Sequence, residues 1–459
     1  MRASAWTVGG YVFSLGMRLV SNVLLTRLLA PELFGIMLFA QSLLEGLALF
    51  SELGVGQSLI RDPRGEERAF VNTAWTMQVV RGAILTVIAC AAAWPMAVVY
   101  DAPILLGVIP AMGAVSLLAG LFSPSYHLMY RHLTLGRVMA LDQSSALLGT
   151  ATAILLAWLT GSVWALVIAN LSSVGWKAVW THWLLPGPRV RPQWDPGAAR
   201  AIWGFGRWIL LSSAMMFVSR KADAFMLPRL IGFQMLGVYN IAMALAEITV
   251  SFGAQITSSV LFPAYSRVAH EGVDRLRDVY YRSRLRIDIL CLFTTGGICG
   301  GAPWIIRFLY DDRYAMASVM LSALAVRSAM MAMLLPAESV LFAMGHSWYS
   351  FTRNAARAVW VIAGIPIAWA VGSHLPDPNG GLYGVLVVMA LTEVPVLLVL
   401  WPAAIKHRVF WLPGELRSVL LFAVGLLAGY LFLTIVPQVR LNDVFQAMGW
   451  TPQQSRGTP

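Results

Sequence analysis

Long apolar runs separated by short polar stretches follow one another along almost the whole sequence. There are thirteen such runs, each about twenty residues long. They start near residues 4, 33, 70, 103, 139, 162, 204, 234, 286, 315, 354, 381 and 418. A helix of about 20 apolar residues crosses the ~30 Å hydrocarbon core of a bilayer, whereas a barrel strand needs only about ten. The pattern therefore predicts an all-α polytopic membrane protein with about 12–14 transmembrane helices.

Basic residues are concentrated in alternate loops between these runs. The richer loops contain Arg61, Arg64 and Arg68, then Arg189, Arg191, Arg200 and Arg207, and then Arg275, Arg277, Arg282, Arg284 and Arg286. Cytoplasmic loops of membrane proteins carry the excess of Lys and Arg. These loops are therefore predicted to be cytoplasmic, with the N-terminus inside and the first run retained as a helix rather than cleaved as a signal peptide. The net charge of +11 then needs no nucleic-acid partner.

Two halves are suggested by a polar segment in the middle of the chain. The segment PGPRVRPQWDPGAAR, from Pro186 to Arg200, contains four prolines and follows the sixth run. Such composition is typical of a linker. We expect a six-helix lobe over residues 1–185, a cytoplasmic linker over 186–203, a second six-helix lobe over 204–406, and an additional C-terminal helix and tail over 407–459.

An internal repeat supports this division. When the chain is shifted against itself by 202 residues, charged residues that are rare in apolar runs coincide: Arg18 with Arg220, Arg27 with Arg229, and Glu45 with Glu247. Because the shift covers six runs, both copies have the same orientation in the membrane. The two lobes are therefore predicted to form a parallel repeat about an axis along the membrane normal.

Charged residues within the runs are the candidate functional residues. A charge at the bilayer centre costs about 2.5 to 3.5 kcal/mol and usually faces a bundle interior or an aqueous cavity. Because both halves contribute such residues, we expect a shared central cavity. The cations proposed to bind substrate are Arg18, Arg81, Arg220, Lys221 and Arg327, and Lys177 is a sixth cation within a run. The residues proposed to support them or to couple an ion are Glu45, Asp223, Glu247 and Glu393.

The stretch FVSRKADAFML, residues 217–227, has the highest density of these charges. Arg220 and Asp223 are three residues apart and share a helix face, whereas Lys221 points about 100° away. Asp223 could hold Arg220 in place for substrate, or the two could form a buried ion pair that only fixes helix packing. Both interpretations stay open at the sequence level.

Arg18 and Arg81 have no acidic neighbour at helical spacing. Either an external anion or a carboxylate on another helix must therefore offset each charge. Glu45 and Glu247 could be such partners, or they could be protonated and deprotonated as coupling sites.

Other carboxylates receive separate predictions. Glu393 precedes Pro395 in a run that must bend there, and it is predicted to be a lone ion-coupling carboxylate. Glu52, Asp288 and Glu338 lie near the cytoplasmic ends of their runs and are expected to be solvated.

The residue types needed for metal or phosphate chemistry do not form motifs here. Cys90, Cys291 and Cys299 are scattered in apolar runs with no CxxC pair, so neither a disulfide nor a metal site nor a cofactor is expected. Gly54 and Gly56 in ELGVGQS lack the preceding strand and following GK[ST] of a phosphate loop.

Three stretches carry a family resemblance: TRLLAPELFGIMLFAQSLLEGLALFSELGVGQSLIR (Thr26 to Arg61), KADAFMLPRLIGFQMLGVYNIAMALAE (Lys221 to Glu247) and SSVLFPAYSRV (Ser258 to Val268). They resemble the polysaccharide-transport branch of the multidrug/oligosaccharidyl-lipid/polysaccharide (MOP) exporter superfamily, the Wzx-type O-antigen and exopolysaccharide flippases. The resemblance extends over most of the chain, from Met1 to about Lys406.

The resemblance implies two six-helix lobes around a central cationic cavity that opens alternately to the two sides of a bacterial inner membrane. It implies an oligosaccharide carried on undecaprenyl pyrophosphate as substrate, and polysaccharide polymerase or export machinery as a partner beside the lipid bilayer. It also implies transport without an enzymatic reaction. Arg18 matches in kind the first-span arginines of related lipid-linked precursor flippases, and unpaired arginines suit a pyrophosphate.

Three alternatives remain at the sequence level. A drug or cation antiporter of the same superfamily would need a cavity dominated by carboxylates. A membrane-embedded glycosyltransferase or polymerase could use Asp311 and Asp312 of LYDDRY as a metal-binding pair, although the outer loops are short for a catalytic region. A non-transporting assembly scaffold would tolerate neutralisation of every intramembrane arginine.

Overall fold

A computed structural model describes residues 2–132, 134–187, 190–346 and 348–435, in which the regular secondary structure is helical. The α-helices are α1 (Arg2–Leu28), α2 (Pro31–Phe50), α3 (Val55–Arg61), α4 (Arg68–Val99), α5 (Leu105–Gly120), α6 (Ser125–Arg131), α7 (Leu135–Thr160), α8 (Trp164–Trp183), α9 (Pro196–Ile256), α10 (Phe262–Val268), α11 (Val273–Leu309), α12 (Ala317–Ala343), α13 (Trp348–Ser373), α14 (Gly380–Ala390), α15 (Val394–Lys406) and α16 (Leu412–Ile435). A π-helical turn (Thr257–Leu261) precedes α10.

The predicted membrane-spanning helices are present. Within the described ranges, nine helices are long and apolar enough to cross a membrane, or ten if α5 and α6, which are bent by 57°, form one broken span. The runs predicted near residues 4 and 162 form α1 and α8, which have 27 and 20 residues and are also long enough to span. The all-α polytopic fold is therefore confirmed.

Helix α9 is two spans rather than one. Its 61 residues would extend about 92 Å if straight, three times the thickness of the hydrocarbon core. Gly232 interrupts it with φ 74° and ψ 166°, a conformation that a residue with a side chain rarely adopts. The Tyr239 hydroxyl donates a hydrogen bond of 2.8 Å to Asp223, although 16 residues of straight helix would separate these two by about 24 Å. The chain therefore folds back at Gly232, which matches the separate runs predicted near residues 204 and 234.

The chain divides into two compact units, one ending at Phe217 and the other beginning at Val218. Each unit contains a helix break at a position that the 202-residue repeat makes equivalent: Ala30 between α1 and α2, and Gly232 within α9. The short helix α3 begins at Val55 and the π-helical turn begins at Thr257, which is again 202 residues later. The internal repeat seen in the sequence is thus matched by helix boundaries.

Helix α16, expected as an addition outside the two lobes, packs along α11. The pairs Gly296 and Gly300 on α11 and Gly425 and Gly429 on α16 have the GxxxG spacing that allows membrane helices to approach closely. A Cβ atom on Gly300 would lie 2.9 Å from the Tyr430 backbone nitrogen, so the two backbones are in contact.

The two helices run parallel, and this fixes the number of crossings between them. Arg284 contacts Glu415 near the start of both helices. Gly300 approaches Tyr430 near the end of both. Parallel spans must be separated by an odd number of crossings, so α12, α13 and the interrupted pair α14–α15 form three spans. If α1, α8 and the two segments of α9 are counted as spans as well, the described helices correspond to the thirteen crossings predicted from the sequence.

Thirteen crossings predict where α16 ends. We expect alkaline phosphatase fused after residue 435 to be active and a green fluorescent protein at the same place to be dark, because an odd number of crossings from the predicted cytoplasmic N-terminus ends outside. The same pair of reporters fused after residue 187 provides the cytoplasmic control. Fluorescence at both positions would contradict the parallel arrangement of α11 and α16.

Candidate functional site

In the N-terminal unit, Arg18 lies exposed on α1. One turn earlier, Ser14 donates a hydrogen bond of 3.0 Å to Gln143 of α7, and the Gln143 amide nitrogen lies 2.7 Å from the Ser14 hydroxyl. Residues four apart share a helix face, so Arg18 lies on the face of α1 that these bonds tie to α7. Among the residues that the structure describes, Arg18 has no acidic partner.

Arg81, the second predicted cation of this unit, is held by the end of α2. Its Nε donates to the Ser51 hydroxyl at 2.9 Å, and its Nη2 donates to the Ala48 carbonyl at 2.6 Å. Glu52 lies 3.5 Å from the same guanidinium nitrogen. A cation at a helix C-terminus is stabilised by unpaired carbonyls and by the helix dipole. Of the two possibilities left by the sequence, the structure supplies a nearby carboxylate for Arg81, and Glu52 is a partner rather than a solvated group.

A polar pair that the sequence reading did not select joins α7 to α8. Lys177 Nζ lies 2.7 Å from Asp142, whose other oxygen accepts a hydrogen bond of 3.1 Å from the Tyr126 hydroxyl. The Lys177 ammonium also lies 4.3 Å from the centre of the Tyr126 ring. Lys177 was visible as a charge within a run. Its partner lies near the start of a run, and a one-dimensional pattern does not reveal which helices pack together.

In the C-terminal unit, the predicted Arg220–Asp223 pair is wrong. Asp223 is 4% exposed and accepts hydrogen bonds from the Tyr239 hydroxyl at 2.8 Å and from the Ala224 backbone at 3.0 Å. Arg220 is exposed on the same segment, and Lys221 beside it is half-buried. The reversal of the chain at Gly232 brings Tyr239 to the carboxylate, so a tertiary contact replaces the local one.

Arg327 of α12 belongs to a group of charged and polar residues in this unit. It is 8% exposed and is within electrostatic range of Tyr239, Asp223, Glu247 and Glu393. These groups come from both segments of α9 and from the break before α15. The structure therefore brings together four of the predicted residues: Asp223, Glu247, Arg327 and Glu393. The remaining carboxylate, Glu45, is exposed on α2.

Glu393 is not the lone carboxylate that the sequence suggested. The predicted bend at Pro395 is present as a break between α14 and α15, with Glu393 fully buried in it. Its Oε2 lies 2.6 Å from Nη2 of Arg357, which is 2% exposed on α13. Its Oε1 has no hydrogen-bond partner in the described part of the chain.

Arg357 and its neighbour Arg353 are functional candidates that the sequence reading missed. Arg353 pairs with Glu338 of α12, which is therefore not simply solvated as expected. The run predicted near residue 354 placed both arginines at its margin, where cations are ordinary. Their spacing of four residues, which puts both on one face of α13, is the signal that could have selected them.

A second buried network joins the start of α11 to α16. Arg284, expected in a cytoplasmic loop, is fully buried, and its Nε lies 3.1 Å from Asp288, which is 1% exposed rather than solvated. Its Nη2 donates to Glu415 at 2.9 Å, and its Nη1 lies 2.6 Å from the Tyr280 hydroxyl. Ser418 completes the network by donating to Asp288. These charges are covered because α16 packs over them.

Asp311 is not free to serve as half of a metal-binding pair. Both of its carboxylate oxygens lie 3.0 Å from Nε of Arg313, and its Oδ2 lies 2.6 Å from Nη2. This hydrogen bonding is the main cause that raises the pKa of Arg313 above its ordinary value. A metal ion would have to displace this bidentate guanidinium, which disfavours the glycosyltransferase interpretation.

Known proteins with similar sequences and structures agree with the predicted resemblance. The chain is 20% identical over 370 residues to the teichuronic acid biosynthesis protein TuaB of Bacillus subtilis (strain 168), covering 79% of this chain and 71% of TuaB. It is 21% identical over 396 residues to the lipopolysaccharide biosynthesis protein WzxC of Escherichia coli (strain K12), covering 85% and 78%. The fold matches the lipid II flippase MurJ in an inward closed conformation with a TM-score of 0.67 and 11% identity, covering 97% of this chain and 95% of MurJ.

A sequence model of the family described as polysaccharide biosynthesis protein matches residues 24–319, which is more than half of the chain. The matched region contains all three of the resembling stretches, the charged segment around Asp223 and most of the repeat. The resemblance to the polysaccharide-transport branch of the MOP superfamily is confirmed, and this multi-pass membrane protein belongs to the polysaccharide biosynthesis protein family.

Proposed function

We propose that this protein is a flippase that moves oligosaccharide repeat units linked to undecaprenyl pyrophosphate across a bacterial inner membrane by alternating access. One observation carries the proposal. Arg18 and Arg220 lie 202 residues apart at equivalent positions of the repeat, and both are exposed in the first span of their units. Neither takes part in a buried ion pair among the described residues.

The chemistry of these two arginines suits a pyrophosphate. A guanidinium keeps its charge at any physiological pH and can donate two parallel hydrogen bonds to phosphate oxygens. The other intramembrane arginines are engaged by the protein: Arg81 by α2, and Arg327 and Arg357 by carboxylates. Substrate binding is therefore assigned to Arg18 and Arg220. Lys221 lies beside Arg220 and adds a positive charge there.

The charged cluster around Arg327 is proposed to couple an ion to the movement. It places Asp223 and Glu393, both buried, near arginines that belong to other helices. Ionisable groups within a membrane are commonly parts of proton or ion pathways. One oxygen of Glu393 lacks a hydrogen-bond partner among the described residues, so it can accept a proton without first breaking a bond.

Replacing Glu393 with glutamine tests this coupling. We expect export to fall roughly tenfold and to lose its response to a collapsed proton gradient, because the amide keeps the shape of the side chain but cannot take up the proton. The measurement is surface polysaccharide with and without a protonophore, normalised to protein abundance. Glu338→Gln is the matched control, since Glu338 pairs with Arg353 at the edge of the cluster. Normal gradient dependence in Glu393→Gln would contradict the coupling role.

Depletion of the protein tests the proposed function. We expect lipid-linked repeat units to accumulate with their sugars facing the cytoplasm, where they are protected from a membrane-impermeant lectin in intact spheroplasts. Accumulation of unpolymerised units on the outer face would instead indicate the polymerase alternative. Transport of a cationic drug by the purified protein would favour the antiporter alternative. The charged cluster around Arg327 argues against a cation site, because its carboxylates lie near arginines that offset their charge.

A further inference from the structure

A cleft of about 420 Å³ lies beside the first turns of α11 and the start of α16, entirely within the C-terminal unit. Its lining includes Arg277, Asp278 and Arg282 from α11, and Trp411 and Arg417 from the α16 side. Ligand pockets in proteins have volumes of about 300 to 1,000 Å³, so the cleft is large enough for a small polar group.

The wall of the cleft is rigidly held. Tyr281, which also lines it, accepts a hydrogen bond of 2.8 Å from the Trp411 backbone nitrogen, and the two rings pack edge to face with centroids 5.2 Å apart. The same hydroxyl lies 3.2 Å from Glu415, which belongs to the buried network of Arg284. The shape of the cleft is thus set before any ligand binds, which lowers the entropic cost of binding.

The three arginines of the cleft have guanidinium N–H groups available to bind a ligand. Arg282 is exposed and has no acidic partner within the described ranges. Arg417 lies within electrostatic range of Asp288 and donates a long hydrogen bond of 3.4 Å to the Tyr281 carbonyl, but its Nε is buried without a hydrogen-bond partner among these residues. Arg277 pairs at 3.3 Å with Asp274, which is 92% exposed, and such surface pairs contribute little. With a single carboxylate in the lining, the cleft favours an anion.

Its position points to the headgroup region of the membrane. Helix α11 has 37 residues and is about 55 Å long, well beyond the ~30 Å core, and its charged residues crowd its first half. That half must lie outside the hydrocarbon. Tryptophan is enriched at the membrane interface, where Trp411 would sit. With the N-terminus inside, this is the cytoplasmic face.

We propose that the cleft binds the phosphate group of a lipid in the inner leaflet. Arginine forks bind phosphate oxygens, and basic pockets between helices at this face are suited to lipid headgroups. The phosphate could belong to a glycerophospholipid or to the polyprenyl pyrophosphate carrier of the proposed substrate. The inference depends on the predicted orientation and not on transport.

Binding to the purified full-length protein tests this site. The protein in detergent is titrated separately with phosphatidylglycerol, phosphatidylcholine, undecaprenyl pyrophosphate and inorganic pyrophosphate, and bound lipid is counted by native mass spectrometry. We expect the variant Arg282→Gln/Arg417→Gln to bind the anionic lipids about tenfold more weakly, because it loses two charge-assisted donors. Arg286→Gln is the matched control, since Arg286 is exposed one turn after Arg282 and lies outside the cleft.

Each outcome has a definite meaning. Preferential loss of phosphatidylglycerol binding identifies a phospholipid site, and preferential loss of undecaprenyl pyrophosphate binding identifies a site for the carrier. Both support the inference. Unchanged affinity in the double variant, an equal loss in Arg286→Gln, or equally tight binding of inorganic pyrophosphate overturns it. If the double variant unfolds at a lower temperature without lipid, Arg282→Gln alone is used for the binding measurement. Arg282 is exposed and forms no ion pair among the described residues, so this single change should not affect folding.

Discussion

Replacing Arg18 or Arg220 with glutamine should lower surface polysaccharide at least tenfold. The reason is that each variant loses a charge-assisted contact to the pyrophosphate, which contributes about 1.5 to 3 kcal/mol to binding. The amount of protein in the membrane should not change, because both side chains are exposed and neither closes a buried ion pair among the described residues. Immunoblotting of membranes measures the abundance of each variant, and quantification of surface polysaccharide measures its export activity. Arg220→Lys should retain part of the activity, since lysine keeps the charge but not the fork of donors.

Loss of both polysaccharide and protein in these variants would instead mean that the arginines hold the helices together. Arg286→Gln is again the matched control, because it removes an exposed arginine outside the proposed binding residues. A variant with Arg18, Arg81, Arg220 and Arg327 all neutralised that still exports normally would indicate the assembly scaffold.

Replacing Arg284 with alanine should destabilise the protein by about 3 to 5 kcal/mol, the largest effect on stability that the structure implies. Arg284 is fully buried and pairs with both Asp288 and Glu415, so its removal takes the guanidinium partner away from two buried carboxylates. The measurement is the thermal unfolding of the purified protein in detergent, together with its abundance in cells.

Two controls isolate the charge effect. Arg282→Ala, two residues earlier and exposed, should unfold at the wild-type temperature. Adding Asp288→Asn and Glu415→Gln to Arg284→Ala should recover part of the loss, because the neutral amides are less costly to bury than unpaired carboxylates. An Arg284→Ala protein as stable as the wild type would show that the network around Glu415 does not hold α16 in place.

The helices were predictable because hydropathy is a local property. Each run of about twenty residues became a helix or a pair of shorter helices. The break between the runs near 204 and 234 fell at Gly232, whose backbone conformation few other residues adopt. The position that corresponds to Gly232 in the first copy is Ala30, where α1 ends and α2 begins. Local periodicity therefore sufficed for the all-α membrane fold, and the repeat for the position of this break.

The partners of the charged residues were less predictable, because they depend on which helices pack together. The spacing of Arg220 and Asp223 favours a pair within one helix, but the chain reversal supplies Tyr239 from the next segment. The sequence predicted Arg284 in a cytoplasmic loop, but in the structure α16 packs over it and buries it. Both errors arise because tertiary contacts decide the partners, and the i,i+3 preference that favoured the Arg220–Asp223 pair is worth only a few tenths of a kcal/mol.

The two copies of the repeat have also diverged in their charges. The fifth and sixth spans of each copy are joined by a cation–carboxylate pair, Lys177 with Asp142 in the first and Arg357 with Glu393 in the second. The positive group lies on the later helix in the first unit and on the earlier helix in the second. The buried cluster around Arg327 occurs in the second unit. We therefore expect ion coupling to depend on the C-terminal unit and substrate binding on both.

Reconstitution provides the most direct test of the central claim. Purified protein is incorporated into liposomes that carry a fluorescent oligosaccharide on undecaprenyl pyrophosphate, and a membrane-impermeant reductant bleaches only the molecules in the outer leaflet. We predict that wild-type protein makes nearly all of the substrate accessible to the reductant, whereas Arg18→Gln/Arg220→Gln protein leaves about half protected, as in liposomes without protein. Equal protection with wild-type protein and without it, under an imposed proton gradient, would contradict the assignment as a flippase.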